Sequence, residues 1–80
     1  MSRLVEHAPR NRPASIFGAN VARERQRQCK SMETLARLGG THASEISRLE
    51  RGLRDPRLST VVRVAQALDV PATDLLDGIG

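Results

Sequence analysis

An all-α bundle of short helices is the fold that this 80-residue chain predicts, and three observations carry the prediction. First, residues 31–52 (SMETLARLGGTHASEISRLERG) space their apolar residues as two short helices meeting at a sharp turn. Leu35 and Ala36 lie before the turn at Gly40, and Ile46 and Leu49 lie after it at one-face helical spacing, so the two apolar faces can close on each other. Second, the chain is 39% hydrophobic with one Phe and neither Trp nor Tyr, so its core must be aliphatic. A small aliphatic core suits a single helical domain with little stability to spare. Third, Leu58, Val61, Val64, Ala65 and Leu68 repeat at core spacing, with Val70, Leu75 and Leu76 completing the bundle after a break at residues 69–71.

Taken in order, residues 1–14 (MSRLVEHAPRNRPA) hold three Arg and two Pro without a helical period and read as a flexible basic arm. The arm is passive in the free protein on this reading. The alternative is that Arg10 or Arg12 reaches an anionic partner. The first helix is expected to begin at about residues 13–15, where Pro suits a first turn and Ser a cap, and to end near Gln28. Phe17 and Val21 form its core stripe; Arg23, Arg25, Arg27 and Lys30 form the other face. Ser31 is placed to cap the second helix, with Glu33 against the helix dipole. The third helix should run over about residues 43–51, with Glu45 a candidate to close back on its N-terminus although His42 is a poor cap. The loop LRDPR then carries Arg54 and Arg57 around Pro56, before the final pair of helices. The domain is expected to span residues 15–77, with residues 78–80 a tail.

Composition narrows the function classes. Cys29 is the only cysteine, so no internal disulfide, thiolate zinc site or Cys-x-x-Cys redox pair can form. His7 and His42 lie on different segments, and no catalytic serine, paired acids or Gly-rich phosphate loop appears, so neither an enzyme nor a bound metal or other cofactor is expected. The apolar runs are far shorter than the ~20 residues of a membrane span, and the N-terminus lacks the apolar core of a signal peptide. A cytoplasmic protein without a membrane partner is the expectation. Residues 1–57 hold twelve of the thirteen basic residues and six acids, a net of +6, whereas residues 58–80 carry a net of −2. The charge is polarised as a phosphate-facing surface would be. Closing the two apolar faces also leaves His42, Ala43, Ser44, Ser47 and Arg48 outward, all small, polar or cationic, as suits a helix entering a major groove.

Four strings then carry a family resemblance: FGANVARER, ETLA, EISRLERG and PRLSTVVRVAQALDVPATDLL. In this order and spacing the chain resembles, over residues 16–76, the lambda repressor-like helix-turn-helix domains of the XRE and Cro type. The resemblance implies a compact five-helix bundle whose second and third helices form the helix-turn-helix. It implies a sequence-specific regulator of transcription, a repressor or autoregulator, bound to double-stranded DNA as a homodimer on a two-fold operator and so associated with the nucleoid. His42, Ala43, Ser44, Ser47 and Arg48 match the base-reading positions. Ser31, Met32, Arg27, Lys30, Gly52, Arg54 and Arg57 are the candidates for backbone contacts. Arg25 would pair with Glu50, and Gly40 would take a left-handed conformation. The chain departs from the pattern at Met32, where Gln is frequent, and at Gly39, where an apolar residue is usual, so the end of the second helix is expected to be rotated or loosely packed. Glu24, Cys29 and Lys30 stand where relatives often have Leu, Gly and an apolar residue. Two alternatives are an antitoxin or accessory factor that holds a partner protein, and a restriction-modification controller.

Overall fold

The computed structural model describes residues 12–80 and places five helices in them: α1 (Arg12–Arg27), α2 (Met32–Gly39), α3 (Ala43–Glu50), α4 (Leu58–Leu68) and α5 (Ala72–Leu75). Helix α1 starts earlier than the sequence suggested, so Arg12, Pro13 and Ala14 belong to it and Ala14 is buried. Pro13 fits there because a first-turn residue needs no N–H donor. Arg10 and the rest of the arm lie outside the described residues.

Four of the helices stop in the same way. Past the ends of α1, α2, α3 and α4, Cys29, Gly40, Gly52 and Asp69 take φ between +56° and +74°. In each case the next N–H reaches back five residues: Lys30 to the Arg25 carbonyl, Thr41 to Ala36, Leu53 to Arg48 and Val70 to Ala65, at 2.8 to 3.0 Å. This left-handed stop satisfies carbonyls that the helix leaves open. Glycine does it without steric cost at two of the ends; Cys29 and Asp69 do it with a Cβ.

The core gathers Phe17 and Val21 from α1, Leu35 and Ala36 from α2, Ile46 and Leu49 from α3, Val61, Val64, Ala65 and Leu68 from α4, and Leu75 from α5. Met32, Val70 and Ile79 pack partly against it, so the expected C-terminal tail carries one packing residue. Three expectations need correction. Leu58 is 78% exposed, because it is the first residue of α4 and no other helix covers it there, whereas Val61, Val64, Ala65 and Leu68 turn inward. Leu76 is 39% exposed, because α5 ends one residue earlier and only Leu75 points into the bundle. Of the two outcomes expected at Gly39, rotation of α2 is absent, since Leu35 and Ala36 stay buried; Leu38 is 53% exposed and an added Cβ at Gly39 would meet only the Ala67 Cβ at 3.9 Å.

The contact between α1 and α3 is set by absent side chains. A Cβ on Gly18 would collide with the Leu49 carbonyl oxygen and come within 2.8 Å of that of Glu50. Just past α3, Gly52 lies close to Ser15 of α1, whose Cα would be 2.9 Å from an added Cβ. The two helices therefore meet backbone to backbone. Polar ties close the other end. The buried Asn20 donates to the Leu75 and Asp77 carbonyls at 2.9 Å each, and Gln28 donates to the Leu68 carbonyl at 2.7 Å. These bonds occupy carbonyls at the C-terminal ends of α4 and α5. No described helix is long and apolar enough to cross a membrane.

Candidate nucleic-acid interface

Helices α2 and α3 are joined by Gly40, Thr41 and His42, and α3 packs on α1 and α2 while α5 packs on α1 and α4. Helix α3 and the acidic end with Asp74 and Asp77 therefore both border α1, and each has a second neighbour of its own, α2 for α3 and α4 for α5. Within α3, Ile46 and Leu49 are buried, which turns Ser44, Ser47 and Arg48 outward. His42 and Ser44 are exposed, Ala43 and Ser47 half-buried, and the Arg48 side chain retains 46% of its exposure. The four candidates within α3 therefore lie on its side away from Ile46 and Leu49, from the first turn to the last, with His42 at the N-cap. The same side continues into Arg51, which is exposed three residues after Arg48 and four after Ser47. Arg51 was missing from the sequence-based set, although its spacing from Ser47 and Arg48 announces it.

His42 occupies the N-cap of α3 in an extended conformation and makes no side-chain cap bond. Glu45 does not close a capping box. Its carboxylate turns sideways instead, 3.4 Å from Arg54 Nε and 3.9 Å from Arg48 Nη1. The missing hydroxyl at position 42 removes half of the reciprocal arrangement, and two arginines offer the acid a better partner.

Donor groups flank this face on both sides. At the start of α2, Ser31 Oγ accepts the Thr34 N–H at 3.0 Å, which leaves the N–H groups of Met32 and Glu33 as the outward donors of a positive helix end. The Met32 side chain itself packs toward the core, so position 32 can offer DNA its backbone and little else. Beyond α3, Gly52, Arg54 and Arg57 follow in a loop; Arg54 and Arg57 line an open cleft with Glu45, Asp55 and Arg63. Arg27 lies outside both clusters and is engaged by Glu24, whose carboxyl is held below its usual pKa by hydrogen bonds from Arg27 and then Gln28. Lys30 Nζ donates to Gln28 Oε1 just past α1, so two cations of the sequence-based set already have partners.

The frame that holds α3 is an ion pair. Arg25 donates to both carboxylate oxygens of Glu50, at 2.6 Å from Nε and 3.1 Å from Nη2, and its remaining nitrogen Nη1 donates to the Lys30 carbonyl at 2.9 Å. The two side chains are only 11% and 6% exposed. The Glu50 hydrogen bond raises the Arg25 pKa above its already high ordinary value, so the guanidinium stays charged at any working pH. The pair fixes the end of α3 to α1, and the bond to Lys30 adds the segment that leads into α2. Among the described residues no group of His, Cys, Asp and Glu could hold a metal, and Cys29 is an exposed free thiol.

This arrangement defines a helix-turn-helix domain, and the family comparison agrees: the helix-turn-helix family model matches residues 21–75. The chain belongs to the XRE-type helix-turn-helix family of transcriptional regulators. The HTH-type transcriptional regulator y4dJ of Sinorhizobium fredii is 34% identical over 61 residues, covering 76% of this chain and 79% of that protein. Among solved structures, the restriction-modification controller protein C.AhdI from Aeromonas hydrophila aligns with a TM-score of 0.75 at 34% identity, over 78% of this chain and 94% of the controller. The hypothetical transcription factor NHTF from Neisseria aligns at 0.76 with 31% identity, over 80% and 74%. The clp gene regulator ClgR from C. glutamicum, at 23% identity and a TM-score of 0.79 over 82% and 86%, shares the fold.

Proposed function

We propose that this chain is a sequence-specific, non-enzymatic DNA-binding regulator that places α3 in the major groove and acts as a homodimer, repressor or autoregulator, on a two-fold operator. A cytoplasmic, nucleoid-associated protein follows from that role. The observation that carries the reading is the outward side of α3, where His42, Ala43, Ser44, Ser47 and Arg48 stand accessible opposite buried Ile46 and Leu49. Arg48 is the main base reader, because a guanidinium can bond both O6 and N7 of guanine; Ala43 offers an apolar contact such as a thymine methyl. Ser31 and the Met32 backbone on one side, and Gly52, Arg54 and Arg57 on the other, contact phosphates and set register. Arg51 adds a cation at the far end of the reading side. Arg27 and Lys30 are secondary contacts, since each must leave a partner, Glu24 on α1 and Gln28 just past it.

Near the chain end, Leu75, Leu76 and Ile79 are the apolar residues a dimer contact could draw on. Leu75 is spent on the core, so the contact proposed here is Leu76 together with Leu58 and Val62, which lie one turn apart on α4. Leu76 lines a cleft with Val61 and Ile79, which places it beside α4. Within this function, a restriction-modification controller is the second reading. It is favoured by C.AhdI, because the alignment covers nearly all of that controller.

Selection of binding sequences from a randomised duplex pool at several salt concentrations tests the reading. Arg48→Ala should cost roughly 1 to 3 kcal/mol on the selected site and relax preference at one position per half-site. Arg54→Ala should weaken all sequences alike and reduce the salt slope by about one per subunit. A uniform loss with an unchanged selected sequence in Arg48→Ala would make Arg48 a phosphate clamp and move base reading to His42, Ser44 and Ser47.

A further inference from the structure

Glu45 is the acidic residue in the first turn of α3, and its carboxylate is half-exposed between two arginines of different proposed use. Arg48 belongs to the base-reading side and Arg54 to the phosphate-contacting loop. The cleft that Glu45 lines also contains Arg57, Arg63 and Asp55, so three cations surround two acids there. Both of its ion pairs are open to water: Arg48 and Arg54 retain 46% and 51% of their side-chain exposure. Such pairs bias a side chain's position without locking it.

An arginine on a reading helix has a long stem and binds any phosphate it can reach, which gives affinity without sequence information. A carboxylate at the preceding turn restrains that search. We propose, on the basis of the DNA-reading role above, that Glu45 is a positioning residue that raises discrimination between cognate and non-cognate DNA. It tethers Arg48 along α3 and Arg54 beside it, and it opposes an alternative placement of either guanidinium by its own repulsion of phosphates. On the cognate site Arg48 is held by a guanine edge and Arg54 by a phosphate, so the carboxylate stays between two engaged cations. On other sequences Arg48 has no base partner, and capture by a phosphate requires leaving Glu45. The penalty therefore falls mainly on non-cognate complexes.

The test measures Glu45→Gln and wild type against the pool-selected duplex and an unrelated duplex over a salt series. Glu45→Gln should tighten non-cognate binding about fivefold while changing cognate binding less than twofold, and should steepen the non-cognate salt slope by about one per subunit. Glu45→Asp, which keeps the charge, should retain most of the discrimination. In an Arg48→Ala, Arg54→Ala background the effect of Glu45→Gln should vanish. Equal shifts on both duplexes, unchanged slopes, or an undiminished effect in that background would overturn the inference. If wild type selects a sequence and Glu45→Gln behaves identically, this inference falls alone; if wild type binds no duplex selectively, the DNA-reading role falls with it.

Discussion

Gly39 and Gly40 are adjacent yet serve opposite conformations. Gly39 is the last residue of α2, and a Cβ there would meet only the Ala67 Cβ at 3.9 Å, an ordinary contact. Gly40 has open space around it but a φ of +71°, which strains any side-chain-bearing residue. Thermal melts should therefore show Gly39→Ala neutral or stabilised by up to ~1 kcal/mol, and Gly40→Ala destabilised by about 1 kcal/mol. Equal losses would misplace the turn. Arg25 poses a different test, because its three bonds use the planar fork of the guanidinium. Lysine keeps the charge but cannot bridge both Glu50 oxygens and the Lys30 carbonyl, so Arg25→Lys should lose about 2 kcal/mol in denaturant unfolding. A loss below ~0.5 kcal/mol would mean that charge suffices and the fork does not matter.

Helices in this chain are short, so their ends decide much of their stability. Four stop in the left-handed conformation, and Cys29 is a residue ill suited to it. Its thiol is exposed and free, so replacement removes no disulfide. Cys29→Gly should raise stability by roughly 0.5 to 1 kcal/mol, read as a higher melting temperature. No change or a loss would show that the α1 stop is held by its Lys30-to-Arg25 bond alone. Helix α3 makes the opposite compromise at its start. His42 leaves a cap unfilled where Ser or Thr would serve, and the same position stands at the edge of the reading side.

For the molecule as a whole, exposed apolar groups occur in more than one place. Leu53 lies in the loop among Arg51, Arg54 and Arg57 and Leu38 on α2, whereas Leu58, Val62 and Leu76 lie on α4 and just past α5. A dimer joined through that apolar patch leaves both reading helices free, and its half-sites should be centred about one helical turn apart, ~10 bp. Introducing charge with Val62→Glu and Leu76→Glu should shift sedimentation toward monomer and weaken binding to a two-half-site duplex. Binding to one half-site should be preserved. A wild type that saturates at one protein per asymmetric half-site would remove the dimer.

The helical class, the turn at Gly40, the Ser31 cap and most of the core were legible because each depends on residues within about a turn of one another. Helical spacing puts Ile46 and Leu49 on one face whatever they later touch. The Arg25 and Glu50 pair spans 25 positions and was legible through the family pattern rather than through spacing. Other features depended on how the helices were laid together. Leu58 fits the apolar period of α4, yet no helix covers its side of that period. Leu75 and Leu76 are chemically equal neighbours, and the direction of a four-residue helix separates the buried one from the exposed one. Asn20 and Gln28 read as ordinary polar positions until the ends of α4 and α5 arrive at them with open carbonyls. Glu45 read as a cap, and the loop that brings Arg54 beside it gave it another partner. Periodicity assigns a residue to a side of its own helix; the packing of the other helices decides what that side meets.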